Sequence, residues 1–436
     1  MQASLRFSIS DPEGKVTMAG DANGTIEAAA LIIGPKDGEP TSFSLRDLVS
    51  ISEADYRIKV DVVGGDSLLL FNLGYKYEDF ARSLVQARNE LALQDLLMEE
   101  NLRKRGVSAD FTIIDSSGLV EDKGKCEVRL YETAIVIMPE RSDLRRVPFS
   151  DIQGSTAENF KVIIPLDSGS RVEFSRLGKE LDPLQKGIID SVGELSAKVQ
   201  NMLKDVYPEA DSKAILRASK YMREGRAARR SDLEAACPGL WPRLERKLAG
   251  LGLREEYAFL SSMARAEKIR IGMKRTLRGE TMDEYIWFLT PIYMTDGSKG
   301  GNAIAFEASS GEDEGRATYF FRIMGRKEYA RIKDLDQLDQ TADASLSDIA
   351  RGLMAINFRR EPIYLAEEKL YSPEYSRYRY SLLRIPELRT LRERFIGRVV
   401  HSSVEQWKLD IERLLKFNVA QENDALIWKK SDEDGG

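Results

Sequence analysis

Shifting the chain by 104 residues lays its first two hundred positions over one another without a gap. "FSISDPEGKV" (7–16) meets "FTIIDSSGLV" (111–120), pairing Phe7, Ile9, Asp11, Gly14 and Val16 with Phe111, Ile113, Asp115, Gly118 and Val120. "ALIIGP" (30–35) meets "AIVIMP" (134–139), Gly65 meets Gly169, and Leu73-Gly74 meets Leu177-Gly178. An internal repeat with turns and apolar positions both in phase limits the fold more than any single motif, because each copy must solve the same packing problem. The expectation is two domains of one architecture, residues 1–105 and 106–206.

Within each copy the apolar period is two until the Leu-Gly corner and helical after it. "YRIKVDV" (56–62) alternates Tyr56, Ile58, Val60 and Val62 with polar residues, and "FKVIIPL" (160–166) places Phe160, Val162, Ile164 and Leu166 on the corresponding face. Such alternation marks strands with one buried side. About seven short strands are expected per copy, separated by Gly, Asp and Pro turns. Past the corner, Phe80, Leu84, Ala87 and Leu91 match Leu184, Ile188, Ser191 and Leu195, one stripe along a helix. Glu90 and Glu194 share an offset expected on the solvated side. Gly74 and Gly178 are read as structural repeat corners that let the backbone turn where a side chain would obstruct it.

This order of elements resembles the pleckstrin-homology-like fold in its bacterial and GRAM-type versions. The second copy carries the likeness best. "CEVRLYETAIVIMPE" looks like the family's central hairpin, "VPFSDIQGS" like the turn leading to its fifth strand, and "VIIPLDSGSRVEF" like the hairpin before its helix. The resemblance implies binding platforms and scaffolds, with catalysis uncommon. Some members hold phosphoinositides with basic residues flanking the first hairpin. Here Lys15, Lys123 and Lys125 are offset by Asp11, Glu13, Asp115, Glu121 and Asp122, so lipid headgroups are not the expected partner.

The whole chain of 436 residues is 42% hydrophobic and 31% charged, ordinary for a globular protein. No stretch has the uncharged apolar length of a membrane span, and the start lacks the regions of a signal peptide. Cys126 and Cys237 make neither a disulfide framework nor a thiolate zinc site, and the expected compartment is the cytoplasm. A single histidine, His401, removes the commonest general base and metal ligand from the rest of the chain. It lies in "RVVHSSVEQW", at an expected helix break that Ser402 or Ser403 caps, and is read as structural. No catalytic, cofactor-binding or metal site is assigned.

Residues 207–280 are read as a basic helical connector. From Asp211 to Glu280 there are 17 Lys or Arg against 9 Asp or Glu, in a chain whose net charge is −6. Ser231 is expected to cap a short helix, with Glu234 completing a capping box, and Pro238-Gly239 to end it before "WPRLERKLAGLGL". The layout weakly resembles a winged-helix or helix-turn-helix unit. A second helix carrying Arg243, Arg246 and Lys247 would enter a major groove, with Arg226, Arg229 and Arg230 on phosphates. The other reading of this charge is a solvated face on a connecting helical domain, or one docked on the acidic repeats.

Residues 281–420 are read as a C-terminal α+β domain, with a third, degenerate copy of the repeat as the alternative. "EYIWFLTPIYM", "NAIAFEAS" and "ATYFFRIM" read as a small antiparallel sheet, and "GSKGG" (297–301) as a hairpin turn. Helices are expected over "SLSDIARGLMAI", capped by Ser345 or Ser347, then "ELRTLRERFIG" and "VEQWKLDIERLLKF". "YSPEYSRYRYSLLR" (371–384) alternates Tyr378, Tyr380 and Leu382 with arginines and serine, which reads as a half-buried strand or a base-stacking surface. Residues 421–436 are read as a polar tail. The fold class is therefore multidomain α+β. The functional expectation is a non-catalytic scaffold or adaptor that binds protein partners through the tandem domains. The alternative is association with DNA or RNA through 211–280.

Overall fold

The computed structural model describes residues 1–97, 101–278, 281–293, 301–309, 315–324, 331–332, 334–355 and 360–420. The expected turn at 297–301 lies outside these residues except for Gly301, and the expected tail at 421–436 lies outside them entirely. Two compact units form: Met1–Gly193 with Tyr371–Arg384, and Glu194–Leu370 with Ile385–Gly436. The class is α+β.

In the first unit, period-two sequence becomes sheet. The first copy contains β1 (Gln2–Ser10), β2 (Val16–Ile26), β3 (Ala30–Pro35), β4 (Thr41–Ser44), β5 (Leu48–Ala54), β6 (Arg57–Val62) and β7 (Ser67–Phe71), closed by α1 (Tyr77–Leu97). The second contains β8 (Leu102–Ile114), β9 (Val120–Tyr131), β10 (Ala134–Pro139), β11 (Arg145–Pro148), β12 (Thr156–Glu158), β13 (Lys161–Pro165) and β14 (Arg171–Ser175), followed by α2 (Leu181–Val206). Both sheets are antiparallel and share one order, β4-β3-β2-β1-β7-β6-β5 and β11-β10-β9-β8-β14-β13-β12. Two curled seven-stranded sheets of this kind are compatible with pleckstrin-homology-like sandwiches. The expected division at 105/106 falls inside β8.

The repeat holds to the residue. Phe7 pairs with Leu70 and Phe111 with Phe174, positions 104 apart on both strands. Ile33, Leu48, Val60 and Leu70 are fully buried, as are their counterparts Ile137, Ile152, Ile164 and Phe174. The backbone repeats as well: Asp55, Tyr56 and Asn72 have positive φ, and so do Asn159, Phe160 and Arg176. Gly74 (φ 58°) and Gly178 (φ 53°) each open a single 3₁₀ turn before the helix. A Cβ at either would meet nothing within 4 Å. The expectation that a side chain would be obstructed there is therefore corrected: glycine is favoured by the left-handed backbone alone.

The second unit contains α3 (Ser212–Ser219), β15 (Ala228–Arg229), α4 (Arg230–Ala236), α5 (Leu240–Gly250), α6 (Arg254–Met263), β16 (Arg270–Arg278), β17 (Thr281–Ile292), β18 (Asn302–Ser309) and β19 (Arg316–Arg322). Then come α7 (Leu335–Ala355), α8 (Glu361–Tyr364) and α9 (Glu367–Leu370). Helix α10 (Ser376–Arg384) belongs to the first unit, and the second resumes with α11 (Pro386–Arg394), β20 (Phe395–Val399) and α12 (Val404–Ala420). Its sheet runs β15-β16-β17-β18-β19-β20. This succession of neighbours differs from the order of the repeats, so the C-terminal part is not a third copy. The expected boundary at 280 separates β16 from β17, which are antiparallel neighbours. One apolar core, including Trp241, Leu244, Phe288, Phe306 and Trp407, joins the expected connector to the expected C-terminal domain.

Three local expectations are corrected. Residues 376–384 form a helix, with Tyr380 and Ser381 fully buried, because Tyr380, Ser381 and Arg384 fall on one face at helical spacing. Ser345 and Ser347 lie inside α7, which begins ten residues before Ser345, and the Ser347 hydroxyl donates back to the Asp343 carbonyl at 2.8 Å. Ser231 lies within α4, whose N-cap is Arg229 with no side-chain cap bond.

Candidate interaction surfaces

The two copies of the repeat are fastened together by polar groups from α1. Asn89 is buried; its amide donates to the Ser142 carbonyl at 2.9 Å and its oxygen accepts from Leu144 N at 3.2 Å. Arg129 of β9 is also buried and grips Glu90 with both terminal nitrogens while its Nε reaches Glu127 at 2.9 Å. Glu90, expected on the solvated side, is thus an ion-pair partner, while Glu194 is exposed. Hydrogen bonding to Glu90 raises the Arg129 pKa above its ordinary value. Leu93 of α1 joins Tyr131, Val136 and Met138 of the second copy in a small apolar cluster.

Helix α10 completes this unit. The Tyr380 hydroxyl donates to the Arg88 carbonyl at 3.2 Å, and Arg384 Nη2 donates to the carbonyls of Leu48 and Val49 at 2.6 and 3.0 Å. Arg88 and Arg384 both reach Asp143, and Arg379 pairs with Asp47. Tyr378, Tyr380, Arg379 and Arg384, among the residues that suggested base stacking, are thereby drawn into internal packing, while Tyr371 is exposed.

Two exposed aromatic groups of the repeats are at hairpin tips. Tyr56, between β5 and β6, is 78% exposed, and Phe160, between β12 and β13, is 90% exposed. Both have positive φ, 57° and 59°, following Asp55 and Asn159 at 51° and 52°. Two consecutive left-handed residues make a hairpin turn whose second position usually carries glycine. The sequence reading put Tyr56 and Phe160 on the buried face by extending the strand alternation one residue too far. The signal against it was the preceding Asp or Asn, residue types that tolerate left-handed backbone. Tyr56 meets the Tyr77 ring edge-on at 5.6 Å between centroids.

The basic connector residues do not form one open face. Arg229 pairs with Asp232 at 2.7 Å and Asp343 at 3.1 Å. Arg230 lies over the Trp241 ring, and Arg243 lies over Tyr207 and pairs with Glu209 at 3.3 Å. Lys247 pairs with Glu284, Arg226 is half-buried, and Arg246 is exposed on α5. Acidic residues distant in sequence therefore neutralise much of the positive charge that the composition showed in 211–280.

His401 was expected at a break between two helices; it lies between strand β20 and α12, and the Ser403 hydroxyl accepts from Gln406 N at 3.2 Å as the expected cap. Its ring stacks on Trp407, and its Nε2 lies 2.8 Å from the Thr318 hydroxyl. Burial, then the charge of Arg316, pushes its pKa down to about 4, so the ring is neutral near pH 7. Both cysteines are buried, and burial pushes the Cys126 thiol up to about 12. Among the described residues no helix is long and apolar enough to cross a membrane.

Compared with known proteins, the chain matches no protein-family model and no curated protein.

Proposed function

We propose that this chain is a non-catalytic scaffold or adaptor in which two pleckstrin-homology-like domains, held as one body, bind a protein partner. The supporting observation is the pair of aromatic hairpin tips, Tyr56 and Phe160. A left-handed backbone under a bulky aromatic is unfavourable by about 1 kcal/mol; Phe160, 90% exposed, recovers little of it through burial, and Tyr56 only what its edge-on contact with Tyr77 provides. Keeping this arrangement at the same place in both copies is accounted for if the rings are buried by something else. Aromatic side chains on fixed backbone are also the commonest anchors of protein interfaces. The fastening of the copies through Asn89 and Arg129 supports the reading further, because it fixes the spacing of the two tips before a partner arrives.

The test compares full-length protein with the double variant Tyr56→Asn, Phe160→Asn in affinity purification, with and without nuclease. Asparagine suits the backbone, so thermal stability should be unchanged or higher while nuclease-resistant partners are lost. Partners retained undiminished by the double variant would refute the reading. Capture abolished by nuclease would favour nucleic acid instead.

A further inference from the structure

Within the first unit, one face of α1 is an internal docking surface. Glu78, Arg82, Val85 and Asn89 follow at i, i+4, i+7 and i+11, so they lie on one stripe of the helix. That stripe meets the connection between β10 and β11. Glu78 pairs with Arg141, Arg82 pairs with Glu140 at 3.3 Å, and Asn89 donates to the Ser142 carbonyl at 2.9 Å. Val85, between them, is 1% exposed. The repeat places the same stripe 104 residues on, in α2, as Asp182, Lys186, Ile189 and Gly193. Its order of acid, base and apolar residue is kept, but this copy is open. Ile189 is 50% exposed, and Asp182 and Lys186 are exposed with no ion-pair partner among the described residues. A hollow of about 540 Å³ runs along Asp182, Pro183, Gln185, Lys186 and Ile189.

A contact between different patches of two like domains is head-to-tail and leaves one patch of each kind unused. The unused patch on the first copy is the β3–β4 connection, where exposed Lys36 and Asp37 stand at the offsets of Glu140 and Arg141. The order of charge is inverted there. In the internal geometry, Lys36 of a second molecule would face Lys186, and its Asp37 would face Asp182. Two like-charge pairs oppose that contact.

We propose that the open stripe of α2 docks a hairpin tip of a partner protein, one carrying an acidic residue followed by arginine as Glu140-Arg141 does, and that the Lys36-Asp37 order keeps a second copy of this chain off it. The acid of the tip takes Lys186, its arginine takes Asp182, and Ile189 is covered as Val85 is. Exposed ion pairs add little affinity singly, but they decide which tip fits and in which register. The inference does not rest on Tyr56 and Phe160, which every variant below retains, so the two readings fail separately.

The full-length chain can carry its own probe of that chemistry. Sedimentation velocity at up to about 100 μM, where sub-millimolar contacts register, compares four proteins. They are the natural chain, the loop variant Lys36→Glu, Asp37→Arg, the helix variant Asp182→Lys, Lys186→Glu, and the variant with all four changes. Every changed position is exposed, so thermal unfolding should be unaltered. Changing either side alone makes tip and stripe complementary, and each double variant should self-associate about tenfold more tightly than the natural chain. Changing both restores the like-charge pairs and should return the natural behaviour. A double variant that sediments as the natural chain does, or undiminished association of the fourfold variant, would overturn the proposal.

Discussion

Two kinds of glycine separate conformation from space. Gly74 and Gly178 have left-handed backbone and open surroundings. Alanine at either should cost about 1 kcal/mol, and asparagine less, measured by denaturant unfolding. Gly272 has no positive φ, yet a Cβ there would stand 2.3 Å from Trp287 Nε1 and 2.4 Å from the Gly225 carbonyl, between two groups joined by a 2.8 Å hydrogen bond. Gly272→Ala should therefore destabilise its unit by about 3 kcal/mol, the upper range for overpacking plus a broken buried bond. The corners were legible because their spacing repeats. Gly272 was not, because its constraint comes from a strand and a loop distant in sequence. Tyr56 and Phe160 were visible as residues but placed on the wrong face, since alternation alone does not say where a strand ends and its turn begins.

Among elements, the strands of the repeats were the most legible, because a one-residue slip would turn every apolar side chain to solvent. Helix α10 was the least. Its Tyr-Arg-Tyr-Ser alternation mimics a strand, and what settles it is burial of one helical face against α1, which no local pattern discloses. Helix α1 itself carries the fastening between copies, through Asn89 and Glu90, neither of which its apolar stripe singled out. Arg129→Met would leave Glu90 and Glu127 with only the more exposed Arg105 as a shared cation, at 3.8 and 3.6 Å. Because Glu90 is a third exposed, the loss should be about 2 kcal/mol, below the range for a fully buried pair. Chemical denaturation would measure it, and Glu90→Gln combined with Arg129→Met should recover part of it.

For the molecule as a whole, self-alignment located the repeats, but composition divided the remainder in the wrong places. A basic stretch and an aromatic stretch looked like two domains because charge was counted locally, whereas Asp343 and Glu284 balance Arg229 and Lys247 across long sequence distances. The units follow contacts, and both of them are discontinuous in sequence. Tyr380→Ala should weaken the first unit by about 3 to 5 kcal/mol, the usual loss for a large buried aromatic. Hydrogen exchange should show lost protection around Leu48 and Arg88 with the core around Trp241 and Phe288 unchanged, and loss in both would contradict the assignment of α10. Discontinuity also sets an order of assembly. At roughly 5 to 20 residues per second, a ribosome that has made Gly193 takes some ten to forty seconds more to supply Arg384. During that interval the nascent tandem domains present the uncovered flank of α1, with Arg88 and Asp143 awaiting their last partner, so completion of the protein's first unit is timed by synthesis of the larger segment of its second.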